Sequence, residues 1–211
     1  MQRSEALEAL LEAASEQGGY VTAAQGTRLG LQRDDIARLI TSGDLQRLRH
    51  GVFRMRHGQA EHEDDVAAWL HFERGRLPWE RHGATNAVVS HASAAALHRL
   101  GTIIPQRPTV TLVAADSPHV SDIAVRRAPL RPEDWTWLDV GPVRLPATTP
   151  ARTIVDLVLD REEPSYVARA VHEARVRQLA GAEDIMDAAR HRKARSGALR
   201  TRIARLVEET S

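Results

Sequence analysis

Cysteine is absent from this chain, which excludes disulfides and thiolate zinc sites. Lysine is almost absent: of 29 basic residues only Lys193 is lysine, so lysine-dependent chemistry has one candidate. No apolar run approaches the roughly 18 residues needed to span a bilayer, and the opening "MQRSEALEALLEAASEQ" is acidic and amphipathic, unlike a signal peptide. Neither sign of charge prevails, since 29 basic and 28 acidic residues leave a formal net charge of +1. A glycine-rich phosphate loop and a G-x-S-x-G elbow are both missing. What remains is a 211-residue chain, 42% apolar and 27% charged, with the composition of a soluble globular protein expected in the cytoplasm.

Within this near-neutral chain, positive charge is concentrated in "LITSGDLQRLRHGVFRM" (39–55) and the residue just beyond it. Arg47, Arg49, Arg54 and Arg56 fall within ten positions there. The sequence around this stretch predicts three helices and a hairpin. Leu7, Leu10, Leu11 and Ala14 recur at helical spacing over 3–16, and Gly18-Gly19 ends that helix. Thr22 reads as the N-cap of a short helix in "AAQGTRL", stopped at Gly30. A third helix in "QRDDIARLITS" gathers Ile36, Leu39 and Ile40 on one face and stops at Gly43. Around the His50-Gly51 turn the arms alternate in phase, which predicts Leu48, Phe53 and Met55 inside and Arg47, Arg49, Arg54 and Arg56 outside.

Helix, helix, helix and basic hairpin in that order make a winged helix-turn-helix, whose third helix enters the major groove while the hairpin lies against the backbone. Gln32, Arg33 and Arg38 on the third helix are candidate base or phosphate readers. Arg47, Arg49, His50 and Arg54 are the candidate wing contacts. A local cluster of this kind neutralises phosphates without a large net charge on the chain. Asp34 and Asp35 do not suit a DNA-facing helix and are read as favouring its N-terminus.

A polar stretch, "HGQAEHEDD" (57–65), sets the expected boundary between a DNA-binding domain over 1–58 and a second domain over 59–211. Helices are predicted in "DDVAAWLHFERG" and in "SHASAAALHRLG" (90–101), the latter N-capped by Ser90. Strands are predicted in "PTVTLVAAD", "IAVRRAPL" and "VGPVRLPATT", the first two separated by Ser117-Pro118. Helices follow over 150–160, 164–178, 182–192 and 196–209. The fold class is therefore α+β: a winged helix-turn-helix followed by a mixed α+β domain with a helical C-terminal part.

Several apparent sites in the second domain fail on spacing. His91 and His98 share a helix but have no suitably spaced third ligand, so they read as core or capping histidines. "HEDD" (62–65) reads as a solvated helix start, and "HEARV" (172–176) lacks the second histidine of a zinc-protease motif. Ser90 and His91, as sequence neighbours, do not make a nucleophile–base pair. No metal, cofactor or catalytic set is expected. The stretch "RHRKARSGALRTRIAR" (190–205) carries seven basic residues and no acid. It reads either as a solvated amphipathic helix or as a second nucleic-acid or partner surface formed by Arg192, Lys193, Arg195, Arg202 and Arg205.

The run "GGYVTAAQGTRLGLQRDDIARLITSGDLQRLRHGVFRM" resembles the N-terminal winged-helix domain of AbiEi-type antitoxins of type IV abortive-infection toxin–antitoxin systems. The matching features are Gly30-Leu31 before the third helix, Ser42 to Leu45 after it, and Arg-His-Gly-Val-Phe-Arg in the wing. Looser likeness continues through "AVVSHASAAALHRLG", "PTVTLV", "VRRAPL" and "TTPARTIVDL" to about residue 160. The resemblance implies a repressor of its own operon that recognises inverted repeats in operator DNA and counteracts a nucleotidyltransferase-like, AbiEii-type toxin through its downstream domain. It makes Arg33, Arg38, Arg47, Arg49 and Arg54 the DNA contacts. Related winged-helix domains occur fused to restriction-like nucleases with a carboxylate-x-lysine pair, but here His191 stands two residues before Lys193. The competing reading is a ligand-responsive winged-helix regulator with no toxin partner. A catalytic modifier of the toxin finds no residue set.

Overall fold

Glycine punctuation and capping divide the first sixty residues as their spacing predicts. In a computed structural model, all residues are described except 1–2, 59–61, 82, 84, 114–119, 193–196 and 210–211. The chain forms two compact units, Met1–Ala87 with Leu138–Leu145, and Val88–Trp137 with Pro146–Ser211. Among the described residues no helix is long and apolar enough to cross a membrane.

In the first unit, α1 (Arg3–Ser15) buries Ala6, Leu10, Ala13 and Ala14. A three-residue strand, β1 (Tyr20–Thr22), leads into α2 (Ala23–Arg28). Thr22 caps α2 by accepting from the Gln25 amide, and the Gln25 side chain accepts from the Thr22 amide, a complete capping box. Gly26 on α2 is where α3 (Arg33–Thr41) comes closest, since a Cβ there would lie 2.9 Å from Ile36 Cδ1. Gly30, with φ 96°, makes the turn between the two helices in a conformation that suits glycine. β2 (Leu45–Arg49) and β3 (Val52–Met55) complete an antiparallel sheet of order β1-β3-β2. Leu10, Val21, Leu31, Ile36, Leu45 and Phe53 share the core beneath it.

The first unit runs past the expected boundary at residue 58, because α4 (Glu63–Glu73) packs against all three strands of the wing sheet. The turn after α4 is tied to α2 by three side chains in register. Thr22 Oγ1 donates to the Arg74 carbonyl, Arg28 to the Gly75 carbonyl (2.6 Å) and Gln25 to the Arg76 carbonyl (2.8 Å). Gln25 is buried and also exchanges hydrogen bonds with Gln17. These bonds satisfy the carbonyls of the turn that follows α4.

The second unit holds residues of a sheet of order β6-β5-β4-β8-β7, in which β4 pairs with β8 and β5 with β6 in parallel. The strands are β4 (Ala87–Val89), β5 (Thr109–Leu112), β6 (Ala124–Arg127), β7 (Trp135–Val140) and β8 (Val143–Thr148). Among the described residues five α-helices accompany it: α5 (His91–His98), α6 (Pro150–Leu159), α7 (Pro164–Val176), α8 (Ala182–His191) and α9 (Gly197–Glu209). Pro150 and Pro164 stand in the first turns of α6 and α7, where the missing amide costs nothing. The helices meet around Leu100, Ile154, Leu157, Val171, Ile185 and Ile203. The molecule is α+β, with a helical C-terminal part.

A chain of ion pairs runs through this unit. Arg152 is fully buried and donates to Asp134 (3.0 Å), Asp156 (3.0 Å) and the Pro129 carbonyl (3.1 Å). Asp156 also accepts from Arg192 (2.9 Å), and Asp134 from Arg131 (2.9 Å), which reaches on to Asp187 (3.2 Å).

His91 and His98 lie in this unit with separate partners. His91 Nδ1 is 2.9 Å from Ser90 Oγ, and His98 Nε2 is 2.7 Å from the Thr148 carbonyl. Burial pushes both below the ordinary 6.5. Asp156 and Asp160 oppose the shift at His91, and the Thr148 carbonyl opposes it at His98. As pH falls, the unfolded chain takes up these protons first. The stability they contribute is therefore intact above about pH 6.5 and lost below it, at up to roughly 1.4 kcal/mol per pH unit for each histidine. Carboxylates such as Glu173, held below 4.5 by Arg169 and the Gly101 amide although burial opposes it, enter only at lower pH. Denaturant midpoints between pH 7 and pH 5 should fall, and His98→Gln should lower the slope by up to one proton. Midpoints independent of pH across this window contradict the assignment.

Candidate nucleic-acid interface

The outer face of α3 carries Gln32, Arg33, Asp34, Ala37 and Arg38, all exposed. Asp35 turns the other way. It is buried, accepts from the Gln32 amide (2.9 Å) at the helix start, and binds Arg3 (2.8 Å) and Arg38 (3.3 Å). The helix-start role expected of the aspartates is thus filled by Asp35, while Asp34 stays on the outer face. Arg38 remains 62% exposed despite its bond to Asp35, and Arg33 projects from the first turn.

The wing departs from the expected alternation. Leu45 pairs with Met55, Gln46 with Arg54 and Arg47 with Phe53. The register then shifts, so that Arg49 pairs with Val52. Leu48 is the extra residue of a bulge and is only half-buried, not the inner-face residue that strict alternation predicts. Directly paired residues share a face. Arg47 therefore emerges on the side of Phe53, with its guanidinium 5.7 Å from the ring centroid, and is exposed. Arg49 is half-buried, and His50 is exposed at the turn.

Arg54 lies on the opposite face, which α4 covers. It donates to Gln46 (2.7 Å), pairs with Glu63 (2.6 Å), and its side chain is 18% exposed. Burial pushes the Tyr20 hydroxyl beside this pair up to about 12, with Glu63 adding to the shift and Arg54 opposing it. Arg56 binds the Ser42 and Gly43 carbonyls (3.3 and 3.2 Å) and so closes the C-terminal end of α3. The open outer face expected for Arg54 is thus replaced by structural contacts, because α4 forms a second layer over that side of the wing sheet, whereas Arg56 stays exposed. Arg54→Ala should cost about 1–3 kcal/mol of stability, since it strands the half-buried Glu63 carboxylate, and should leave the salt dependence of DNA binding unchanged. A lower salt slope at unchanged stability would return Arg54 to the DNA face.

Three residues of the expected second basic surface are described. Arg192 is half-buried on Asp156, Arg202 and Arg205 are exposed on α9, and Lys193 and Arg195 lie outside the described residues. Sequence reasoning missed Asp35 as the residue that locks Arg3 and Arg38, although its spacing three residues after Gln32 is that of a helix cap. It also missed Glu63 as the partner of Arg54, a long-range pair with no local signal.

Known proteins supply two likenesses. Three chains of solved structure match, among them the crystal structure of the RV2827C protein from Mycobacterium tuberculosis. It is 18% identical with a TM-score of 0.62, and the match covers 100% of this chain and 78% of that one, a likeness of fold. No curated protein matches. Residues 8–56, from within α1 to the end of the wing, match the family model described as transcriptional regulator, AbiEi antitoxin. The likeness to the AbiEi antitoxin family of transcriptional regulators is thus carried by the N-terminal region of this chain.

Proposed function

We propose that the chain is a DNA-binding antitoxin that represses its own operon and counteracts a nucleotidyltransferase-like toxin. The observation that carries the DNA-binding half is the exposed arginine pair on α3, Arg33 and Arg38, next in sequence to a wing whose Arg47 and His50 are also exposed. On this reading α3 lies in the major groove. Arg33 or Arg38 reads guanine or an adjacent phosphate, and the wing holds the backbone. Paired half-sites follow if two copies bind, in the inverted repeats that the family resemblance implies.

The antitoxin half rests on the family match over residues 8–56. On this reading toxin neutralisation falls to the second unit. The test is co-expression with the nucleotidyltransferase-like reading frame beside this gene, together with a reporter on the shared promoter. Growth rescue and repression by wild type, with Arg33→Ala losing repression and keeping rescue, is the expected result. Loss of rescue in step with repression would show that the toxin is controlled only through transcription. Repression without any rescue would favour a regulator that has no toxin partner.

A further inference from the structure

We propose that the C-terminal turn of α4 supplies a phosphate contact beside the wing, through Arg74 and His71 acting with His50. The inference rests on the DNA-binding reading above and extends it to residues beyond the matched segment 8–56. The start of α2, the wing turn and the last turn of α4 enclose a concavity of about 180 Å³ lined by Ala23, His50, Gly51, His71 and Arg74, among others. No carboxylate lines it. Three residues able to carry positive charge, from the wing turn and the end of α4, therefore line one small opening.

Their placement is fixed from both sides. The Ala23 amide donates to the Gly51 carbonyl (2.9 Å), which locks the wing turn onto α2. The carbonyls of Arg74, Gly75 and Arg76 are held by Thr22, the cap of α2, and by Arg28 and Gln25 on α2, which locks the end of α4 onto the same helix. Arg74 is exposed, and its Nε donates to the His71 carbonyl (3.1 Å), so the two residues are held together. Arg74 also has a φ of 23°, a conformation that L side chains rarely adopt. A glycine would suit such a position, yet arginine stands there. Beside a helix-turn-helix whose outer face is basic, the ligand this arrangement fits is a nucleic-acid backbone phosphate, bound through charge and without sequence preference.

The experiment is a salt titration of the full chain binding a random-sequence DNA duplex about two helical turns long, followed by fluorescence anisotropy. Arg74→Ala should lower the slope of log affinity against log salt by about one unit and weaken binding about threefold to tenfold at low salt. Arg74→Lys should restore most of the loss. Arg74→Gly suits the backbone while removing the charge, so it should lose affinity as Arg74→Ala does without a lower melting temperature. Wild-type slopes in both Arg74→Ala and Arg74→Gly, with Arg47→Ala still lowering the slope, would overturn the phosphate contact and leave the DNA reading standing. Inorganic phosphate that binds without these variants changing duplex affinity would also overturn it. Absence of salt-dependent binding by the wild type would remove both.

Discussion

Arg152→Met should destabilise the second unit by about 3–5 kcal/mol, the cost of breaking a buried ion pair from one side. The guanidinium is fully buried and holds Asp134 and Asp156 from α6, while also satisfying the Pro129 carbonyl. Methionine keeps much of the volume and removes every donor. Two buried carboxylates then rely on Arg131 and Arg192 alone, and a carbonyl loses a partner. At roughly 2–4 °C per kcal/mol for a chain of 211 residues, the melting temperature should fall by about 10 °C. Arg152→Lys should be nearly as damaging, because one ammonium cannot reproduce the planar fork. Arg190, half-exposed and paired with Asp187 at the outer end of the same chain of charges, is the control. Arg190→Ala should cost less than about 1 kcal/mol. Equal melting temperatures for Arg152→Met and wild type would show that the network adds nothing net to stability.

On the DNA side the largest effect is expected from Arg33→Ala. Loss of a bidentate base contact costs about 1–3 kcal/mol, or roughly fivefold to 150-fold in affinity, on the specific sequence and far less on a shuffled one. Arg38→Ala should do less, because the Arg38 guanidinium is already shared with Asp35 and gains less on reaching DNA. Arg47→Ala should weaken binding to both sequences alike and lower the salt slope by about one unit, as a backbone contact does. Competition between the chain's own upstream duplex and its shuffled counterpart measures all three. Equal losses on both duplexes for Arg33→Ala would place Arg33 on the backbone. A loss confined to the specific duplex for Arg47→Ala would make the wing a reader of sequence.

Helix placement was legible because its signals are local. Thr22, Gly30 and Gly43 mark the ends of α2 and α3, and each helix predicted in the second domain is found within a few residues of its expected span. What was not legible depends on distant neighbours. β1 is too short to show a period and exists because β3 offers it a ladder. The bulge at Leu48 cannot be read from alternation, since every residue from 45 to 56 also fits an unbroken hairpin. Its consequence for the candidate interface is large: Arg47 and Arg54 leave opposite faces of the wing sheet, and only the first is open. The boundary at 58 rested on polarity alone, whereas α4 is joined to the first unit by α2 side chains bonded to carbonyls about fifty positions away. Arg192, one residue of the candidate second basic surface, bonds Asp156, a partner 36 positions away that leaves no local signal.

The central claim is that the first unit binds DNA through the outer face of α3 with the wing against the backbone. Its most direct test is an anisotropy titration of the full chain against a duplex of its own upstream region and a shuffled duplex, repeated over a range of salt concentrations. The account predicts salt-dependent binding to both duplexes and tighter binding to the first, with Arg33→Ala closing the gap between them. Affinity that is absent from both duplexes at low salt, or that does not change with salt, would contradict it.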